Sequence, residues 1–279
     1  MKTLLSAPGE HAPAASSAES VDFNYLLALR NGIGPSYGSE DVCVLLYSMI
    51  KRERPALVVE LGTGLGVTTA WIAAALAENG HGTIVTVDNG AHFETSGKRQ
   101  WREQLQGPLA ELADRPYGEF LATIFARAGV SRRVKVCRSE IDLHELSWLE
   151  ECLGSDAPKI DVVFSDYNHS ATNTATLVAS FLPRMAEVGS IFIDSASTHL
   201  PSYYLLEHLV ELLNAGRVPK EMLAHAARSG LDARLEAMTR ESRFRLMHLV
   251  EKRDRSQNST AWLRVERASL LPALALAVH

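Results

Sequence analysis

Disulfide staples, membrane spans and a strong charge of either sign are all missing from this sequence. The three cysteines, Cys43, Cys137 and Cys152, form no CxxC pair and lie in or beside apolar stretches. That is the pattern of buried free thiols in a reducing compartment, and it predicts a cytoplasmic protein. No window approaches the roughly 20 apolar residues of a membrane-spanning helix. The opening MKTLLSAPGEHAPAASS offers only Leu4 and Leu5 before polar, proline-rich sequence, short of the roughly 7–15 apolar residues of a signal peptide. With 28 basic and 33 acidic side chains the formal charge is −5, which gives no electrostatic drive toward nucleic acid or anionic membrane. No basic stripe interleaved with aromatics is present, and the mixed-sign clusters at 51–54 and 252–255 read as solvated turns.

What is present is apolar sequence enough for a core: 46% of 279 residues are hydrophobic. Residues 1–19 read as a flexible leader and 20–54 as an N-terminal helical extension. Within the extension, NGIGPSYGS separates two helices, with Ser39 placed to cap the second. From residue 55 short β-branched runs alternate with helical ones. ALVVEL (56–61), TIVTVD (83–88), RVKVCR (133–138), IDVVFSD (160–166) and SIFID (190–194) read as five strands of a doubly wound parallel sheet. VTTAWIAAALAE is a helix stopped at Asn79-Gly80, another lies around 117–129, and a third carries TLVASFLPRMAEV. RFRLMHLVEK (243–252) and STAWLRVERA (259–268) stand too close for a crossover helix and must form an antiparallel hairpin. The expected fold is therefore a Rossmann-like α/β domain over 55–279. It has a seven-stranded sheet of five parallel strands plus a C-terminal antiparallel hairpin, with insertions at 89–116 and 198–241.

The strongest motif is Glu60-Leu61-Gly62-Thr63-Gly64-Leu65-Gly66, where strand one passes into helix one. Glycines there let the backbone turn sharply and approach a ligand. A dinucleotide fingerprint would be GxGxxG; here the spacing is GxGxG, and an acidic residue stands two positions before the first glycine. That carboxylate would repel a pyrophosphate but suits a cofactor carrying an ammonium and a sulfonium, namely S-adenosylmethionine (SAM). Asp88, at the end of strand two, is placed to bind ribose hydroxyls. The competing reading is a glycine-rich turn that binds nothing.

These residues resemble the class I SAM-dependent methyltransferases, and VVELGTGLGVTTAWIA with TIVTVD is similar to the small-molecule O-methyltransferases of the catechol and caffeoyl-CoA type. The resemblance runs over about residues 40–270. It implies that Gly62, Gly64 and Gly66 line the methionine portion of the cofactor, that Thr68 holds its carboxylate, and that Glu60 and Thr63 belong to the same cofactor-binding set. It further implies that Asp88 binds ribose, that Ser139 and Glu140 flank the adenine, and that Asp166 borders the site.

The chemistry is expected at Asp166-Tyr167-Asn168-His169. Catechol-type relatives have a metal-binding Asp there and a catalytic Lys three residues later, the position of His169. A histidine titrates near neutrality and can serve as general base, with Asp166 orienting it; the rival reading has His169 only capping the next helix. Relatives that need Mg²⁺ or another divalent cation pair the strand-four Asp with Asp-Asn after strand five. Here Asp194-Ser195 replaces that dipeptide, so Asp166, Asp194 and Ser195 make an incomplete metal set. The insertion 89–116, with His92, Phe93 and Trp101, reads as a lid or a surface arm. In the segment 198–241, His199, Tyr203 and Tyr204 read as substrate wall or helix core, and Tyr25 and Tyr37 are candidates to close the site. The apolar tail ASLLPALALAVH is expected to pack on the domain or across a homodimer. The function expected is O-methylation of a small-molecule acceptor. N-methylation, aminopropyl transfer and non-catalytic cofactor binding are the alternatives.

Overall fold

The computed structural model describes residues 20–33, 40–95, 102–154, 157–196, 200–250 and 259–268. Expectations that fall on Tyr37, Ser39, Trp101, His199, the 252–255 cluster, the leader and the tail beyond Ala268 lie outside these residues. Along the described chain the elements run α1 (Phe23–Asn31), α2 (Glu40–Glu53), β1 (Leu57–Leu61), α3 (Val67–Asn79), β2 (Thr83–Val87) and α4 (Ala91–Glu94). They continue with α5 (Gly107–Leu112), α6 (Tyr117–Arg127), β3 (Val134–Cys137), α7 (Ser147–Leu153), β4 (Ile160–Ser165) and α8 (Ala171–Phe181). The last are β5 (Met185–Asp194), α9 (Leu200–Asn214), α10 (Lys220–Ala227), α11 (Asp232–Glu241), β6 (Ser242–Val250) and β7 (Ser259–Arg267).

The seven strands form one sheet in the order β3-β2-β1-β4-β5-β7-β6. The first five are parallel, β7 pairs antiparallel with β5, and β6 pairs antiparallel with β7. The expected seven-stranded arrangement is therefore present. All five residues of β1 are buried, as a central strand covered on both faces requires. Its side chains alternate between two cores. Leu57, Val59 and Leu61 join the cluster built with α7, α8 and α9, while Val58 joins the one built with α1, α2, α3 and α6. Glu60 shares the parity of Val58 and so points toward α3.

The helix expected to carry TLVASFLPRMAEV ends earlier than that reading. Pro183 has no N–H to continue the ladder, so α8 stops at Phe181 and a 3₁₀ turn spans Leu182–Arg184. Met185 then opens β5, pairing with Ile160, and the register shifts before Val162 meets Ser190. The strand is thus longer than SIFID, and its first half receives β7 through Val188 and Gly189. The insertions contain helices, α4 and α5 in 89–116 and α9, α10 and α11 in 198–241, whose bounds the sequence reading did not assign. Among the described residues no helix is long and apolar enough to cross a membrane.

Candidate active site

Strand order reverses between β1 and β4, and the loops leaving their C-terminal ends frame a crevice, the place where open α/β sheets bind ligands. Two adjoining pockets occupy it. One is lined by Ile33, Val42, Glu60, Phe164, Asp194 and the glycine loop; the other by Asp88, His92, Ser139, Glu140, Ile141 and Tyr167. Gly62, Gly64 and Asp166 border both.

The loop between β1 and α3 needs its glycines for two separate reasons. Gly62 has φ +89, and a Cβ there would run into the Asp166 carbonyl oxygen, so β1 and β4 could not close on one another. Gly66, at φ +71, caps α3, and a Cβ would sit 2.7 Å from a Leu121 methyl of α6. The loop turns tightly into α3, where Val67 and the half-buried Thr68 line the first pocket.

Glu60 lies inside β1, one residue before its end, and is fully buried. Its Oε2 accepts hydrogen bonds from the hydroxyls of Thr69 and, at 2.5 Å, of Thr86. Thr86 in turn is 2.5 Å from the Thr63 hydroxyl on the pocket wall. Oε1 has no hydrogen-bond partner among the described residues. Burial raises the acid toward a pKa of about 8, against the Thr69 and Thr86 hydrogen bonds and with help from the nearby Asp166 and Asp88 charges.

Asp88 just past β2 behaves in the opposite way. Burial alone would raise its carboxyl, but hydrogen bonds from His92 and from the Gly90 and Gly64 amides outweigh burial and hold it below the ordinary carboxylate value. Its Oδ2 accepts from Gly64 N at 3.0 Å and Oδ1 from Gly90 N at 2.7 Å. The same carboxylate that borders the second pocket therefore fixes the glycine loop. Tyr117 of α6 fixes the loop from above, its hydroxyl donating to Gly64 O at 2.8 Å. The sequence reading missed Tyr117 and the Thr63–Thr86–Glu60–Thr69 chain. The one available signal was that Thr69 follows Thr68 on the buried face of an alanine-rich helix.

His169 follows β4 and sits beside Asp166, with Nε2 3.6 Å from Asp166 Oδ1. Its Nδ1 is 3.1 Å from the Asp194 carbonyl oxygen at the end of β5. A carbonyl only accepts, so Nδ1 carries the proton and Nε2 of the neutral ring presents a lone pair. The capping role considered for His169 belongs to its neighbour: Ser170 is the N-cap of α8, its hydroxyl accepting from Asn173 N. Burial and the Asp88 charge raise the Asp166 carboxyl, although a third of its side chain stays accessible.

The metal set Asp166, Asp194 and Ser195 does not fit a hard cation. Ser195 is fully buried at φ +55, a left-handed position that costs energy for a non-glycine residue. Its hydroxyl donates to Asp194 Oδ2 at 2.7 Å, which turns the proton and not a lone pair toward the carboxylate. No group of three or more His, Cys, Asp or Glu side chains suited to a metal ion occurs among the described residues.

Of the other expected residues, Ser139 and Glu140 reach the rim of the second pocket, and His92 lines it beside Asp88. Phe93 does not reach the crevice; it packs against Tyr117 and Phe120. Tyr203 stacks on His248 at 4.1 Å and Tyr204 is exposed, so neither lines the pockets. Tyr25 packs with the core formed by α1 and α3.

Residues 59–196 match the family model described as a methyltransferase domain. That span contains every residue of both pockets except Ile33 and Val42, so the similarity to a methyltransferase domain covers the site. Among solved structures, the O-methyltransferase from Bacillus cereus in complex with SAH is 16% identical, with 88% of this chain and 92% of that one covered and a TM-score of 0.52, and shares the fold. The chain is also similar to the O-methyltransferase TomG from Streptomyces achromogenes, involved in tomaymycin synthesis and crystallised with SAM. The identity is 18%, the coverage 90% and 91%, and the TM-score 0.48. A putative caffeoyl-CoA O-methyltransferase from Staphylococcus aureus is 11% identical, with coverage of 84% and 86% and a TM-score of 0.41. No curated protein matches the chain in sequence.

Proposed function

We propose that this methyltransferase moves the methyl group of SAM onto an oxygen of a small-molecule acceptor. The observation that carries the reading is the crevice itself: a glycine-built loop bordered by Glu60, Asp88, Asp166 and Asp194. Such lining suits a ligand with positive charges at its amino-acid end and hydroxyls at its ribose. The buried, unpartnered Glu60 Oε1 fits that ligand.

When bound, SAM supplies a methyl group on a positively charged sulfur. Glu60 offers Oε1 to its ammonium end, and Thr68 with the α3 amides receives its carboxylate. Asp88 accepts from ribose hydroxyls, and Ser139, Glu140 and Ile141 border the adenine. His169 takes the acceptor hydroxyl proton at Nε2, while Asp166 steadies the imidazolium that results. Alignment of the acceptor oxygen does the rest, because methyl transfer is an in-line displacement.

Mass spectrometry of reactions with SAM and a panel of phenols, alcohols and amines tests this reading. A gain of one methyl on a hydroxyl compound supports it. Methylation of amines alone, or transfer of an aminopropyl group, would replace it with one of the alternatives. The three buried free thiols support a reducing, cytoplasmic setting. The homodimer expected from the apolar tail is proposed on sequence alone, and light scattering tests it.

A further inference from the structure

Among the described residues, the pocket around Glu60 holds no cation to neutralise it. Glu60 is fully buried, and its pocket is lined among the described residues by Asp166, Asp194, threonines, glycines and apolar side chains, with no Lys, Arg or His. The titratable groups that act on it are Asp166, after β4, and Asp88, after β2, and both are acidic. From α3 and β2 it receives only the hydroxyls of Thr69 and Thr86, both directed at Oε2. Oε1 is buried and has no hydrogen-bond partner among the described residues. A carboxylate so enclosed is costly, and the group escapes the cost by keeping its proton.

We propose that Glu60 is a neutral acid in the free protein and that the ammonium end of the cofactor displaces its proton, so that cofactor binding releases one proton. This rests on the SAM reading above and deepens it by making the affinity pH-dependent. The balance is simple: the Glu60 carboxylic acid and the ligand ammonium become a carboxylate–ammonium pair, and the proton leaves for solvent. The Thr86 and Thr63 hydroxyls, each 2.5 Å from the next partner, connect the buried acid to the pocket wall. The raised value of about 8 agrees with this picture and sets its window. Below it, affinity falls about tenfold per pH unit; above it, affinity levels off.

Calorimetric titration of the full chain with S-adenosylhomocysteine, in buffers of different ionisation enthalpy, reads the proton directly. At pH 7 about nine-tenths of a proton should be released, falling toward zero above pH 9. In Glu60→Gln the release should drop by nearly that amount. Infrared difference spectra covers the case in which Glu60→Gln does not fold: in the unaltered protein, ligand addition should remove one protonated-carboxyl band. Binding with no proton release and no loss of that band would overturn this proposal while leaving the SAM reading intact. Absence of binding would overturn both.

Discussion

The two halves of the crevice are built on different physical terms. On the β1–β2 side the crevice-facing groups are backbone amides, glycines and carboxylates tied to one another: Asp88 to Gly64 and Gly90, Tyr117 to Gly64, Thr63 to Thr86, and Thr86 to Glu60. On the β4–β5 side the groups are side chains at strand ends, His169 beside Asp166 and the strained Ser195 against Asp194. The first half is fixed by main-chain geometry and tolerates little change. The second is a set of interchangeable side chains on a common frame, which is how one fold serves different acceptors.

Substitutions on the two sides should therefore fail in different ways. The largest effect is expected from Gly62→Ala, whose methyl would meet the Asp166 carbonyl at a positive φ. SAM binding should disappear in calorimetry, with a lowered thermal midpoint in circular dichroism. Next, His169→Ala should lower kcat by about 10²–10⁴ while leaving SAM affinity unchanged, because only the proton transfer is removed. An unchanged rate would take His169 out of the mechanism. Asp88→Asn keeps the shape but loses charged hydrogen bonds worth about 1.5–3 kcal/mol, and should weaken SAM about tenfold or more in the same titration. Tyr117→Phe should be mildest. Losing its hydrogen bond to Gly64 O is worth about 1 kcal/mol, roughly fivefold in SAM affinity with kcat kept. A loss of kcat in Tyr117→Phe, or of SAM affinity in His169→Ala, would erase the division between the halves.

The same division explains what could be read from the sequence. The glycine loop, Asp88 and the strand-helix alternation were legible because each is a short-range pattern with a local cause: a tight turn, a strand end, a period of two. The closing hairpin was legible for a similar reason, since only a few residues separate its strands. Pro183 was present in the sequence too, but the apolar run around it masked the end of α8, and the first half of β5 went unseen. Long-range contacts were out of reach. Nothing in the sequence says that Tyr117, 53 residues beyond Gly64, closes over that loop. Nothing says either that Ser195 turns its hydroxyl to Asp194, which decides against the metal set. For His169 the spacing from Asp166 was visible, whereas the tautomer required the Asp194 carbonyl from a neighbouring strand.

Equilibrium dialysis of the full chain against labelled SAM tests the central claim most directly. The account predicts saturable binding at one site per chain, competed by S-adenosylhomocysteine and lost in Gly62→Ala. Failure of the unaltered, folded protein to bind either compound would contradict it.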